Sequence, residues 1–287
     1  MFAGSTSRGV LVAAGVLCLS LACGKSSKDK PKETGKAAEN PGTTAAEDPK
    51  AGQSADSAKN KAPEGPTGSI KGVVTISGET PEMPLLRRGS DPVCDQGEMR
   101  AETILASSEG HLANVLVRIK PGSVPAWTPS GSVFVDQKDC MYRPRVQGGV
   151  RGQKVEVSNG DATAHNVHAR HLPWGRRQGT ETLMNRAQPS GVAMDFELGD
   201  EPVAKLKCDY HGWMQGYIVV SDNPYFAVSS LDGTFKIKDV PTGTHSVELW
   251  HEYYGIKTAT VTVEENGAAT LDYSYDATAD DPMKAGK

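Results

Sequence analysis

Seven consecutive residues concentrate the chemistry of this chain. Cys208-Asp209-Tyr210-His211-Gly212-Trp213-Met214 places a thiol, an imidazole and a thioether two residues apart from one another. Upstream, Ala164-His165-Asn166-Val167-His168 can supply a second imidazole. Two nitrogens, a thiolate and a weak thioether suit copper in both of its common oxidation states, because soft sulfur favours Cu(I) and imidazole serves Cu(I) and Cu(II). A site that compromises between the two rearranges little when an electron enters or leaves.

Such a site needs elements that aim its ligands. Pro202 to Lys207 reads as a strand that runs directly into Cys208, and Gly216 to Ser221 as the strand that leaves the loop. Between them the chain must curl so that three side chains meet one ion, which Gly212 eases. One loop cannot surround a metal, so the remaining imidazole must come from a neighbouring strand. His165, just ahead of a strand at Asn166 to Ala169, fits that role. Further strands are expected at Ser69–Ile76, Leu112–Lys120, Ser132–Val135, Arg143–Val150, Lys154–Ser158 and Val192–Leu198. The polar, Gly- and Pro-punctuated stretch Leu172 to Gly191 reads as a long loop.

The C-x-x-H-x-x-M loop after a strand, with H-N-V-H about forty residues earlier, resembles the cupredoxins, and its spacing is similar to the amicyanin type. The likeness covers roughly Val146 to Ser221. It implies a Greek-key β-sandwich with one mononuclear type 1 (blue) copper, bound by His165, Cys208, His211 and Met214. It also implies that His168 is not a ligand, and that Asn166 pins the two ligand-bearing segments together by hydrogen bonding. The loop departs from its relatives at Gly212, where Pro is common. Zinc is the chemical rival, since Cys and His suit it, although Met is a poor zinc ligand. Asp209 is the one carboxylate on the loop, and its place beside Cys208 argues against its being a co-ligand. A binuclear copper centre would need a second loop cysteine, and there is none.

Other residues admit a functional and a plainer reading. Arg170, Arg176, Arg177 and Arg186 place positive charge near the loops, either to orient an acidic partner or as a solvated surface. Trp213 either shields the metal, forms part of a docking face, or simply packs. His168 reads as a packed strand residue, His171 as a surface histidine and His251-Glu252 as a hairpin surface. There is no nucleophile motif, no paired-carboxylate arrangement and no phosphate loop, so an enzyme is not expected. The net charge of −4 over 287 residues gives no reason to expect a nucleic-acid partner.

The N-terminus reads as a targeting segment. Arg8 precedes an apolar run, Gly9 to Ala22, too short for a comfortable membrane span. Leu19-Ser20-Leu21-Ala22-Cys23-Gly24 resembles the lipobox of bacterial lipoproteins, with Ser20 where Leu is usual. That likeness implies a signal peptide over residues 1–22 and lipidation of Cys23. Gly24, rather than Asp, points to the outer membrane in the best-known sorting scheme. Residues 23–67 read as a disordered tether, almost free of large apolar residues, with eight Lys against seven Asp and Glu between Lys25 and Glu64. Of five cysteines, Cys18 lies in the signal and Cys23 and Cys208 have roles. Cys94 and Cys140 remain as an even pair in an exported chain, so a disulfide is expected, the alternative being two buried thiols.

From Asn223 the pattern changes. Asp232-Gly233-Thr234-Phe235-Lys236-Ile237-Lys238-Asp239-Val240-Pro241-Thr242-Gly243 resembles the carboxypeptidase-regulatory-like, transthyretin-type β-sandwich. The strand at Ser69 to Ile76 also fits the opening strand of such modules, so the copper domain is either inserted into this sandwich or shares strands with it. The expected fold class is all-β, with a cupredoxin-like domain at 68–222, the small sandwich at 223–276 and a flexible tail at 277–287.

Taken together, these readings lead us to expect a lipid-anchored copper protein of the cell envelope, facing the periplasm or the cell surface, that carries electrons to a partner protein through an exposed edge of His211. The alternatives are a non-redox envelope scaffold whose small sandwich contacts a glycan or protein, and a copper store or delivery protein.

Overall fold

The computed structural model describes residue 62 and residues 64–282. The signal segment, Cys23 and nearly all of the tether lie outside the described residues, as do residues 283–287. The described residues are all-β, with no helix among them, so none offers a helix long and apolar enough to cross a membrane.

Seventeen strands form four sheets that pack as two sandwiches. In the first, β5 (Val146–Val150), β11 (Gln215–Ser221), β10 (Val203–Lys207), β7 (His165–His171) and β8 (Thr182–Gln188) lie side by side in that order. The facing sheet is β4 (Met141–Arg143), β3 (Val133–Lys138), β6 (Lys154–Asn159) and β9 (Met194–Glu197). β3 and β6 alternate buried and less buried residues, as a half-buried strand must. Their inward Val133, Val135, Val155 and Val157 meet Val167, Ala169, Leu206 and Ile218 of the other sheet in one core.

The second sandwich faces β1 (Thr67–Ser77), β13 (Thr234–Pro241), β16 (Ala268–Thr270) and β17 (Tyr273–Asp276) against β12 (Phe226–Val228), β2 (Leu116–Ile119), β14 (Gly243–His251) and β15 (Gly255–Val263). β1 is central, antiparallel to β13 and parallel to β16 and β17. Its Ile70 and Val74 are fully buried with Val117, Ile119, Ile237, Val247 and Leu249. The turn into β13 needs its glycine, because Gly233 has φ +74° and a side chain there would collide with the Val74 carbonyl.

These pairings cross the boundary expected at residue 222. β1 and β2 precede the first sandwich in the chain yet pair with strands that follow it. The first sandwich therefore lies between β2 and β12 in the chain. A third cluster, with Leu116, Val146, Leu172, Val203, Tyr217, Val219 and Trp250, joins the two sandwiches. Across the same seam Arg145 pairs with Glu252 at 2.5 Å, both side chains almost fully buried, and Arg118 donates to Glu248 and to the Val220 carbonyl.

Two expectations need correction. The stretch Leu172 to Gly191 is not all loop, because β8 pairs with β7 along one edge of the sheet. Most of its side chains are exposed, so no apolar alternation marks it. The tail beyond residue 276 is not loose where it is described. Ala277 is buried, Tyr253 donates to Asp281, and Lys257 pairs with Asp280.

Candidate metal centre

Antiparallel pairing brings the two ligand segments together. β7 begins at His165 and β10 ends at Lys207, and the register sets Lys207 opposite His168 and Leu206 opposite Ala169. The start of one strand therefore meets the end of the other, and Cys208 emerges beside Asn166. The Asn166 amide donates to Cys208 Sγ at 3.3 Å, and the Asp209 amide donates to Asn166 Oδ1 at 3.1 Å. The Tyr142 hydroxyl, wholly buried, donates to the Asn166 carbonyl at 2.7 Å. Beyond Cys208 the chain turns tightly: the Met214 amide donates to the His211 carbonyl at 2.9 Å. That turn returns Met214, fully buried, to the same cluster as Cys208. A Cβ at Gly212 would meet nothing within 4 Å.

His165, Cys208 and His211 are all buried, and their donor atoms lie within 4.8 Å of one another. His165 Nδ1 and His211 Nδ1 are 2.9 Å apart, and Cys208 Sγ is 4.0 Å from His211 Nδ1. The outer nitrogens settle the tautomers. His165 Nε2 donates to Asp161 Oδ2 at 2.8 Å, and His211 Nε2 donates to Asp91 Oδ2 at 3.1 Å. A carboxylate only accepts, so each Nε2 carries its ring proton and each Nδ1 presents a lone pair. Two lone pairs facing each other at 2.9 Å repel unless a cation lies between or beside them. A metal cation or a proton there relieves the repulsion, and burial pushes the pKa of His165 down despite the nearby Asp161 carboxylate. Burial likewise pushes the Cys208 thiol up, against amide hydrogen bonds that favour the thiolate. A soft metal cation reverses that balance and holds the sulfur deprotonated. The donor set therefore fits a copper ion.

The remaining expected residues fall into place around this centre. Three residues from His165 along a strand, His168 points to the opposite face. It is half-buried rather than packed in the core, with Nδ1 2.9 Å from Asp209 Oδ2 and Nε2 2.8 Å from Thr182 Oγ1. Burial alone would raise the Asp209 carboxyl, but hydrogen bonds from Lys207, His168 and Asn185 hold it at about 2. Asp209 is thus engaged away from the ligands. The disulfide Cys94–Cys140 is formed across 46 residues. Two further groupings of possible metal donors, Asp91 with Cys94 and His211, and Asp161 with Cys140 and His165, each contain a half-cystine with no thiolate to offer. Three of the four arginines donate to backbone carbonyls: Arg170 to Thr180, Arg177 to Tyr253, and Arg186 to Asp195. His251 is 1 % exposed and buried against the Tyr254 and Tyr275 rings, not on a hairpin surface.

The largest correction concerns His211. The resemblance led us to expect an exposed edge, but the ring is 5 % exposed. Asp91 and the Cys94 sulfur cover Nε2, and the Trp213 ring lies 5.0 Å away at 33°. Trp213 is pinned in turn by its Nε1–H to the Cys140 carbonyl. Sequence reasoning missed Asp91 and Asp161. A lone Asp in a turn carries no spacing signal, and only the fold sets it against an imidazole.

No family model matches the chain, and no curated protein matches it. Among solved structures, similar ones include a purple cupredoxin from Nitrosopumilus maritimus, 20% identical, covering 31% of this chain and 100% of that one with a TM-score of 0.28. A reduced, Cu(I) variant of amicyanin is 21% identical, covering 37% of this chain and 98% of its own with a TM-score of 0.27. The copper-containing nitrite reductase of Thermus scotoductus is 21% identical, covering 35% of this chain and 25% of its own with a TM-score of 0.28.

Proposed function

We propose that this chain is a mononuclear blue-copper protein that carries single electrons in the cell envelope and is held to a membrane by a lipid on Cys23. One observation carries the reading. Two buried imidazoles have their outer nitrogens committed to carboxylates and their bare Nδ1 atoms converging 2.9 Å apart beside a buried thiol. Copper bound there supplies one-electron exchange between Cu(I) and Cu(II). His165, Cys208 and His211 are the strong ligands in this reading, and Met214 is the weak fourth.

The chain's own residues do the rest. β7 and β10, clamped by Tyr142 and Asn166, hold the ligands in place through a change of charge. The core around Met214 excludes water. With protein ligands filling the site and no nucleophile beside it, the reading is of a carrier rather than an enzyme. Since the edge of His211 is covered, the partner would meet the loop elsewhere; Tyr210, two residues from Cys208, is 55 % exposed. The envelope location draws support from the Cys94–Cys140 disulfide, since such bonds persist in oxidising compartments, and from the lipobox-like Leu19 to Gly24.

The test is the optical and EPR spectrum of the chain loaded with Cu(II). A strong thiolate-to-copper band with narrow copper hyperfine splitting, lost in Cys208→Ser, is expected. A colourless protein that takes zinc in preference would overturn the copper assignment. Mass spectrometry of the mature chain tests the anchor: a diacylglyceryl adduct on Cys23 is expected, and an unmodified Cys23 removes it.

A further inference from the structure

The segment from Arg88 to Cys94 contributes only Cys94 to the core of the first sandwich, and it lies over the metal centre. Its turn is closed by the Asp91 amide on the Arg88 carbonyl and the Cys94 amide on the Asp91 carbonyl. One end is fastened by the disulfide from Cys94 to Cys140, both 1 % exposed. The other end is fastened by Arg88, 5 % exposed, whose Nη1 donates to the Asp139 carbonyl at 3.1 Å.

Between these anchors, every oxygen of the Asp91 carboxylate is assigned. Oδ1 accepts from the Val93 amide at 2.9 Å. Oδ2 accepts from Thr163 Oγ1 at 2.7 Å and from His211 Nε2 at 3.1 Å. Thr163 itself sits two residues before His165, so the strap is tied to both ligand segments. The Cys94 sulfur lies 3.9 Å from His211 Nε2 on the same side. Two donors besides the ring therefore orient the carboxylate toward it.

We infer that Asp91 is a positioning residue for the metal centre. Delivered by the disulfide-fastened strap, it locks His211 with Nδ1 toward the metal and shuts the outer edge of that ring against solvent and partner. The inference rests on the proposed copper reading for the word metal, but the contact itself does not. An imidazole on a loop can rotate and present either nitrogen, and a carboxylate on Nε2–H removes that freedom and strengthens the ligand. Asp161 does the same for His165 from within the sandwich. Asp91 does it from a segment fastened by the disulfide and Arg88.

The ring of His211 is read directly by nitrogen-15 NMR, in the metal-free chain and again with Cu(I). The expected result is the Nε2–H tautomer in both, with the ring proton exchanging with solvent at least about tenfold more slowly than in an exposed imidazole. A ring that carries its proton on Nδ1 in the metal-free chain, or exchanges freely, overturns the inference without need of any variant. In Asp91→Ala, loss of copper to a chelator should quicken by about 10- to 100-fold. Asp91→Asn keeps an accepting oxygen and should stay within about threefold of the parent. Equal chelation rates for parent and Asp91→Ala, with the blue band intact, would sink the inference and leave the copper reading standing. A chain that never forms the band but shows the protected Nε2–H would do the reverse.

Discussion

At the scale of single residues, hydrogen-bond partners decide what each histidine can do. His165 and His211 each give Nε2–H to a carboxylate, which leaves Nδ1 for a cation. His251 has its Nδ1 already occupied. Its Nδ1 accepts from the amides of Tyr253 and Tyr254, at 3.1 and 3.2 Å, so the buried ring is neutral. Burial, aided by the nearby Arg145 charge, pushes its pKa down to about 3. In the unfolded chain the same ring takes a proton near pH 6.5. The folded state therefore loses nothing at neutral pH. As the pH falls below about 6.5, the unfolded chain takes up a proton that the fold refuses, which costs about 1.4 kcal/mol per pH unit until the pH approaches 3. Urea denaturation of the parent and of His251→Gln at pH 7 and pH 5 checks this. The parent should lose about 2 kcal/mol more than the variant over that interval, and equal losses would mean that the ring is not held neutral.

At the scale of elements, the first sandwich positions the site and the strap closes it. The Cys94–Cys140 bridge closes a loop of 46 residues, worth about 4 kcal/mol by chain entropy. Replacing both cysteines by Ser should lower stability by about 2–4 kcal/mol in denaturant titrations. No measurable loss would mean that the strap's hydrogen bonds suffice alone. On β5, Gly148 has no room for a side chain, because a Cβ would stand inside the Phe226 ring. Gly148→Ala should therefore cost about 1–3 kcal/mol through overpacking. A neutral result in thermal melts would show that Phe226 moves freely at the seam. β8 is a strand that periodicity did not find. An edge strand buries too little for its apolar residues to alternate, so TLMNRAQ reads as loop until a neighbour is there to pair with it.

At the scale of the whole molecule, the two sandwiches are joined by buried charge as well as apolar packing. Arg145 leads into β5 and Glu252 follows β14, and each has about 5 % or less of its side chain exposed. Removing one partner strands the other. Glu252→Gln should destabilise the protein by about 3–5 kcal/mol, measured by urea denaturation with tryptophan fluorescence. A change below about 1 kcal/mol would mean that water reaches Arg145. The insertion of one sandwich between β2 and β12 gives this seam its consequence for the site. β5, β10 and β11 contribute to it on one side, while β10 carries Cys208 and β11 receives the loop on the other.

Local order determined much about this protein. β-branched alternation placed nearly all the strands. The spacing of Cys208, His211 and Met214, with a histidine before a strand, marked residues that the fold brings together, because ligands on one tight loop are neighbours by connectivity alone. An even pair of cysteines gave the disulfide. Only the tertiary structure decided that β1 and β2 belong with strands more than a hundred residues later, since pairing partners leave no trace in a single strand's pattern. It alone set Asp91 and Asp161 on the outer nitrogens of the two imidazoles. It alone buried His211 beneath the strap that the disulfide holds. Each of these depends on contacts between residues far apart in sequence, whose geometry is fixed by packing and carries no local signal.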